Sequence, residues 1–103
     1  MEFLARPDSF YAERIDDLVT VYYSQETNEV IGSLIKGGSK YCQKLKEKMP
    51  GFSVIIQDGS IMLGHLFLAR MLESDMEEMQ VFVYKKLQKV AERSNVSAPI
   101  FKV

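Results

Sequence analysis

Few side chains in this sequence have types suited to chemistry. There is one cysteine, Cys42, and one histidine, His65. A cysteine attacks only as the thiolate and wants a base beside it, and His65 is the sole imidazole available. Cys42 falls in the first turn of an expected helix among lysines, a setting that lowers a thiol pKa. The commoner use of a cysteine is nonetheless as a small core filler. A metal site needs three or four ligating side chains, and His65 stands between Gly64 and Leu66 with no second histidine in the chain. We read it as lying at a core edge or a subunit contact. Lys36-Gly37-Gly38-Ser39-Lys40 is more ligand-like: glycines before a helix start can aim backbone N–H groups at an anion, aided by the dipole and two lysines. The G-x-x-x-x-G-K-[ST] spacing of a P-loop is missing, and the same residues also make a plain glycine turn with a serine cap. Asp16, Asp17, Glu26, Glu29 and Asp58 fall in expected loops without a pairing pattern and read as solvated. We assign no catalytic residue, metal ligand or cofactor from the sequence.

These residues must be held by elements whose periodicity is legible. Val19 to Ser24 (VTVYYS) is a β-branched and aromatic run, the composition of a half-buried strand. After the polar Gln25 to Glu29, Val30 to Ile35 (VIGSLI) resumes the apolar pattern, so the spacing predicts a β-hairpin. Alternation sets Val19, Val21 and Tyr23 on the core face and Thr20, Tyr22 and Ser24 on the other. Gly32 marks a bulge or a close backbone approach. From Ser39 as N-cap, Tyr41, Leu45 and Met49 recur at helical spacing until Pro50-Gly51, with Lys40, Lys44, Lys46, Glu47 and Lys48 facing water.

Phe52 to Gln57 reads as a strand, and Asp58-Gly59 is the preferred pair for a two-residue type I′ turn, which returns Ser60 to Leu63 antiparallel. Strand should pass into helix near Gly64. Ser74-x-x-Glu77 has capping-box spacing and predicts a long helix from about Asp75 to Arg93. Its stripe is Met76, Met79, Val83, Leu87 and Val90, with acids in the first turn and bases towards the end, as the helix dipole favours. The N-terminal stretch is open between two readings. It is either a helical turn capped by Asp8 or Ser9, or an irregular arm laying Phe3, Phe10 and Tyr11 on a neighbour. Val96 to Val103 reads as an extended tail.

Composition narrows the classes. At 103 residues and 47% apolar content the chain fits one globular domain. Thirteen basic and fourteen acidic residues nearly cancel, so no global field draws it to nucleic acid or an anionic membrane. The N-terminus lacks the basic and apolar regions of a signal peptide, and Ile61 to Leu72 is too short and too interrupted to span a bilayer. A lone cysteine forms no internal disulfide, which suits the cytoplasm.

Arg14 to Lys36, R-I-D-D-L-V-T-V-Y-Y-S-Q-E-T-N-E-V-I-G-S-L-I-K, resembles a pattern in an uncharacterised family of small bacterial proteins. There an RxDD lead-in, a TVYxS strand, a TxE turn and a GxxIK return strand recur together. The Asp58-Gly59 turn followed by LGHLFLA resembles their second half, while the C-terminal helix lies outside the resemblance. It implies a fold and brings no activity, cofactor or catalytic residue.

The expectation is therefore an α+β domain with a small antiparallel sheet built from two hairpins, a short central helix and a long C-terminal helix. A sheet apolar on both faces is covered twice or paired with another subunit. This points to a non-catalytic interaction module acting as a homodimer, with Tyr22 or the Met79–Val83–Leu87 stripe at the contact and room for a protein partner. The alternative is a small enzyme or anion binder using Cys42 and His65 or the Lys36–Lys40 turn.

Overall fold

The computed structural model describes residues 1–49, 51–52, 56–57 and 59–99. The hairpin is present as β3 (Val19–Ser24) and β4 (Val30–Ile35), and it is the centre of a four-stranded antiparallel sheet. The N-terminal stretch is neither a helical turn nor a loose arm. It supplies both edges of this sheet, β1 (Glu2–Leu4) beside β4 and β2 (Phe10–Arg14) beside β3, in the order β1-β4-β3-β2. Pro7 separates two runs too short for stable helix, whereas the hairpin edges offer each a ready row of backbone partners. Gly32 lies between β1 and β3, where a Cβ would collide with the Phe3 carbonyl, so the close approach is real. The ladder also shifts register opposite it, between Tyr22 and Tyr23.

After the sheet come α1 (Gly38–Lys48), β5 (Ile56–Gln57), β6 (Ser60–Met62), α2 (Leu63–Glu73), α3 (Glu78–Ser94) and β7 (Ser97–Pro99). The second hairpin does not join the first. It forms a separate three-stranded sheet, β5-β6-β7, in which the tail pairs with β6. Residues 53–55 of the expected strand, Asp58 of its turn, Pro50 and residues 100–103 lie outside the described residues; Gly59 has φ of +74°. Strand gives way to helix at Leu63, beside the Gly64 expected to mark the change.

The long helix starts later than its Ser74 cap predicts. Ser74 instead closes α2, its N–H donating to the Arg70 carbonyl at 3.2 Å. Glu77 is the N-cap of α3, in a reciprocal box with Gln80, whose side chain accepts the Glu77 N–H at 3.2 Å. The E-x-x-Q pair one turn on can satisfy two helix-start N–H groups, and it leaves Ser74 to Glu77 free to connect antiparallel helices.

Helices α2 and α3 pack on each other and on the sheet face that carries Phe3, Val19, Val21 and Ile35. Phe67 is fully buried between Phe3 and Tyr84, at centroid distances of 6.4 and 6.0 Å. Tyr22 is buried but stands outside this core. It lies on the opposite sheet face, roofed by the Phe10 ring stacked at 4.3 Å.

Candidate functional site

The densest polar constellation gathers where the lead-in to β3 meets the helices. Asp16 precedes β3 and turns its carboxylate back, so that Oδ1 accepts the Leu18 and Val19 N–H groups at 2.9 and 2.8 Å. Its Oδ2 accepts the Tyr84 hydroxyl at 2.6 Å and faces Arg70 Nη2 at 3.4 Å. From α2, Arg70 also approaches Glu73 at 3.7 Å and lies 5.2 Å from the centroid of the Tyr41 ring. Glu73 accepts the Tyr41 hydroxyl at 2.6 Å and the Ser74 hydroxyl at 3.0 Å, with Lys48 at 3.5 Å. Gln80, besides capping α3, donates to the Ile15 carbonyl at 3.3 Å. Four segments, the β3 lead-in, α1, α2 and α3, thus meet at one guanidinium. The side chains of Asp16, Arg70 and Glu73 are only 13, 20 and 17% exposed.

The electrostatics follow from that enclosure. Burial pushes the Asp16 carboxyl up, but hydrogen bonds from Tyr84, Val19 and Leu18 and the charge of Arg70 bring it below its ordinary value. Glu73 is lowered chiefly by the Tyr41 hydroxyl, against some desolvation. Tyr41 and Tyr84 move upward through burial and through donating to those carboxylates. Arg70, pushed down by burial, is raised beyond its usual range by its partners. Near neutrality the carboxylates are therefore ionised, the phenols protonated and the guanidinium charged. None of these groups is poised to exchange a proton, which general acid–base work requires. The arrangement holds elements together. Arg70 Nε, buried without a partner, is its one unmet donor among the described residues.

Asp16 is the residue that sequence reading missed, having been taken as solvated. A carboxylate two and three residues ahead of a strand's first N–H groups is an Asx-turn pattern, and that was the available signal. Arg14 adds to it by donating to the Asp16 and Asp17 carbonyls at 3.2 and 3.4 Å. The RxDD lead-in thereby has a structural task in this chain. Glu29 is likewise engaged, with Arg6 at 3.2 Å.

The residues singled out in sequence do not come together as a site. Cys42 is fully buried, and burial pushes its thiol up to about 11, opposite to what a nucleophile needs. His65 is exposed and lines a cavity of about 300 Å³ with Met49, Phe52, Leu68, Ala69 and Leu72. In the glycine turn, Gly37 is the left-handed N-cap of α1 at φ of +68°. Gly38 is buried under the Met1 side chain, and Ser39 lies inside α1, so the expected serine N-cap is replaced by Gly37. Lys36 and Lys40 are exposed. A basic surface forms elsewhere: Lys86, Lys89 and Arg93 of α3 flank a cleft of about 260 Å³ that Glu29 and Val30 close from the sheet. Among the described residues no group of three or more His, Cys, Asp or Glu could hold a metal ion. No helix among them is long and apolar enough to cross a membrane.

No protein-family model matches the chain, and no curated protein or solved structure matches it either.

Proposed function

We propose that this chain is a non-catalytic interaction module that works as a homodimer. The observation that carries the reading is the one-sided cover of the four-stranded sheet. Its helices pack against the face of Phe3, Val19, Val21 and Ile35. On the other face Leu4 and Phe10 are 43 and 38% exposed, beside Ala12 and the half-buried Leu34. A sheet face carrying large apolar groups loses free energy to water until something covers it. For a small domain of near-zero net charge, a second copy of the same chain is the commonest cover.

The four residues expected at the contact divide. Tyr22 is roofed by Phe10 of its own chain, and Leu87 is fully buried in the core. Val83 is half-buried and packs against the core. Met79 is 74% exposed and is the expected contact residue left open to a partner, while the neighbouring Phe82, also exposed, has the Lys86 ammonium over its ring at 4.3 Å. The ionised, sealed cluster around Arg70 supports a scaffold in preference to a catalyst. The single cysteine fits a reducing compartment, and we place the module in the cytoplasm.

Light scattering on the eluting protein at micromolar concentration is the test. The expected result is twice the chain mass, and a monomer mass across the range would sink the proposal. A second reading, a binder of a small apolar ligand, is favoured by the His65 cavity and its Leu68 and Leu72 walls. It predicts that Ala69→Leu, which fills the cavity, abolishes binding of an apolar fluorescent probe while leaving the mass unchanged.

A further inference from the structure

The edge of the sheet formed by β2 is open to a further strand among the described residues. All five of its residues, Phe10 to Arg14, are exposed, and among the described residues β3 is the one strand beside it. Its outward hydrogen-bonding groups can be identified from the ladder. Ile15 donates its N–H to the Val19 carbonyl at 2.9 Å, and the Ser9 carbonyl accepts the Gln25 N–H at 2.8 Å. Both pairs share the register in which Phe10 faces Ser24 and Arg14 faces Thr20. In an antiparallel ladder bonded and non-bonded pairs alternate. The odd-numbered residues of β2 therefore bond to β3, and the N–H and C=O groups of Phe10, Ala12 and Arg14 point away from the sheet. The Gln25 side-chain amide reaches the Phe10 carbonyl at 3.5 Å, a long contact that a strand N–H would replace. Natural edges are commonly blunted by charged side chains, lysine above all, by proline or by a bulge; β2 carries one acid and one base, Glu13 and Arg14, but no lysine or proline, and it pairs with β3 without a shift.

We infer that β2 of one copy pairs antiparallel with β2 of a second copy, centred on Ala12, joining two sheets into one of eight strands. This rests on the homodimer reading but places the contact at the β2 edge, so the open faces are joined side by side and are not covered by it. Three registers pair two or more of these outward residues with their counterparts around a two-fold axis. Centring on Tyr11 bonds only the Phe10–Ala12 pairs. Centring on Glu13 bonds only the Ala12–Arg14 pairs and sets Glu13 against its own copy, like charges directly opposite. Centring on Ala12 bonds all three outward residues, Phe10 to Arg14, Ala12 to Ala12 and Arg14 to Phe10. It also puts the small Ala12 at the crossing. Each Phe10 ring then neighbours an arginine of the other copy, and each Glu13 neighbours a tyrosine, so both faces are complementary. The open faces of the two sheets become continuous across the junction.

Hydrogen exchange read residue by residue across a concentration series tests the pairing. The Phe10, Ala12 and Arg14 amides should slow as concentration rises. The Tyr11 and Glu13 amides, bonded to β3, should be slow at every concentration. Ala12→Pro removes an N–H that the monomer does not use and is tolerated at an edge. It should weaken dimerisation at least about tenfold with the circular dichroism spectrum unchanged. A dimer whose Phe10, Ala12 and Arg14 amides exchange at concentration-independent rates overturns the β2 pairing and leaves the homodimer reading standing. So does an Ala12→Pro protein that folds and dimerises as well as the parent. A monomer at all concentrations overturns both.

Discussion

Two tyrosines, Tyr84 of α3 on the covered side of the sheet and Tyr22 of β3 on its open face, donate to carboxylates in different surroundings. Tyr84 is fully buried and holds Asp16 inside a cluster that also contains Arg70, Tyr41 and Glu73. Tyr22 donates to Glu2, an exposed residue of an edge strand, beneath a ring that is itself partly in water. In the first setting each ionised group depends on protein partners, because little solvent is available to replace them. In the second, water can take over when the partner leaves. The same hydroxyl-to-carboxylate bond is thus a structural lock on one face and a replaceable contact on the other.

Removing the guanidinium should break the contrast most. Arg70→Met leaves Asp16 and Glu73 ionised and short of a countercharge, and urea denaturation should show a loss of about 3 kcal/mol. A loss under about 1 kcal/mol would mean that the cluster is solvated after all. Next come the two hydroxyls. Tyr84→Phe should cost about 2 kcal/mol and Tyr22→Phe about 0.5 kcal/mol, since bonds to charged groups matter most when enclosed. Equal losses would erase the difference between the faces.

Titration sharpens the comparison from both ends. Asp16 and Glu73 are held below their ordinary values of 3.8 and 4.5. Folded carboxyls with lowered pKa bind fewer protons than unfolded ones, so their stabilisation is present above those values and is lost as pH falls through and below them. Tyr84→Phe should flatten that acid limb. On the alkaline side, Tyr22 is pushed up to about 12 by burial and by Glu2, from 10.0. The folded state then keeps a proton that the unfolded chain releases, and stability should fall as pH rises from about 10 to about 12. Tyr22→Phe should remove that share of the fall, leaving the parts from Cys42, whose thiol stays protonated up to about 11 against an ordinary 9.0, and from the other raised phenols, Tyr23, Tyr41 and Tyr84. An unchanged alkaline limb in Tyr22→Phe would show that neither burial nor Glu2 shifts the Tyr22 hydroxyl in solution.

The smallest effects concern the start of α3, which delivers Tyr84 to the cluster. Gln80→Ala loses the Glu77 cap and the bond to the Ile15 carbonyl and should cost about 1 kcal/mol. Ser74→Ala should cost less than about 0.5 kcal/mol, because the Ser74 hydroxyl serves Glu73 and not a helix N-terminus. The reverse ranking would restore Ser74 as the cap.

What was legible in the residues was local. The alternation of Val19 to Ser24 and Val30 to Ile35 specified the hairpin, and the three- and four-residue spacing around Leu45 and Leu87 specified two helices. The α+β class followed, because each pattern depends on neighbours a few positions away. The capping box was misplaced by one motif, since two serviceable caps lie three residues apart and only the packing of α2 against α3 selects between them. The two edge strands went unseen because β1 and β2 have too few residues to declare a period. Partners distant in sequence, Leu34 for Glu2 and Ser24 for Phe10, stabilise them. The Arg70 cluster was invisible for a related reason. Asp16, Tyr41, Arg70 and Tyr84 are separated by long stretches of chain, and no spacing rule joins residues on different elements.

By itself the sequence determined the periodic elements, their approximate ends and the side of β3 that faces the core, because backbone sterics and side-chain alternation act over a few residues. Only the tertiary structure decided which hairpin joined which sheet, that the N-terminus completes the edges, and that Asp16 leaves water to meet Arg70 and Tyr84. Those outcomes depend on which surfaces bury one another and on where charges lose solvent together, quantities that no single element possesses before the chain has folded.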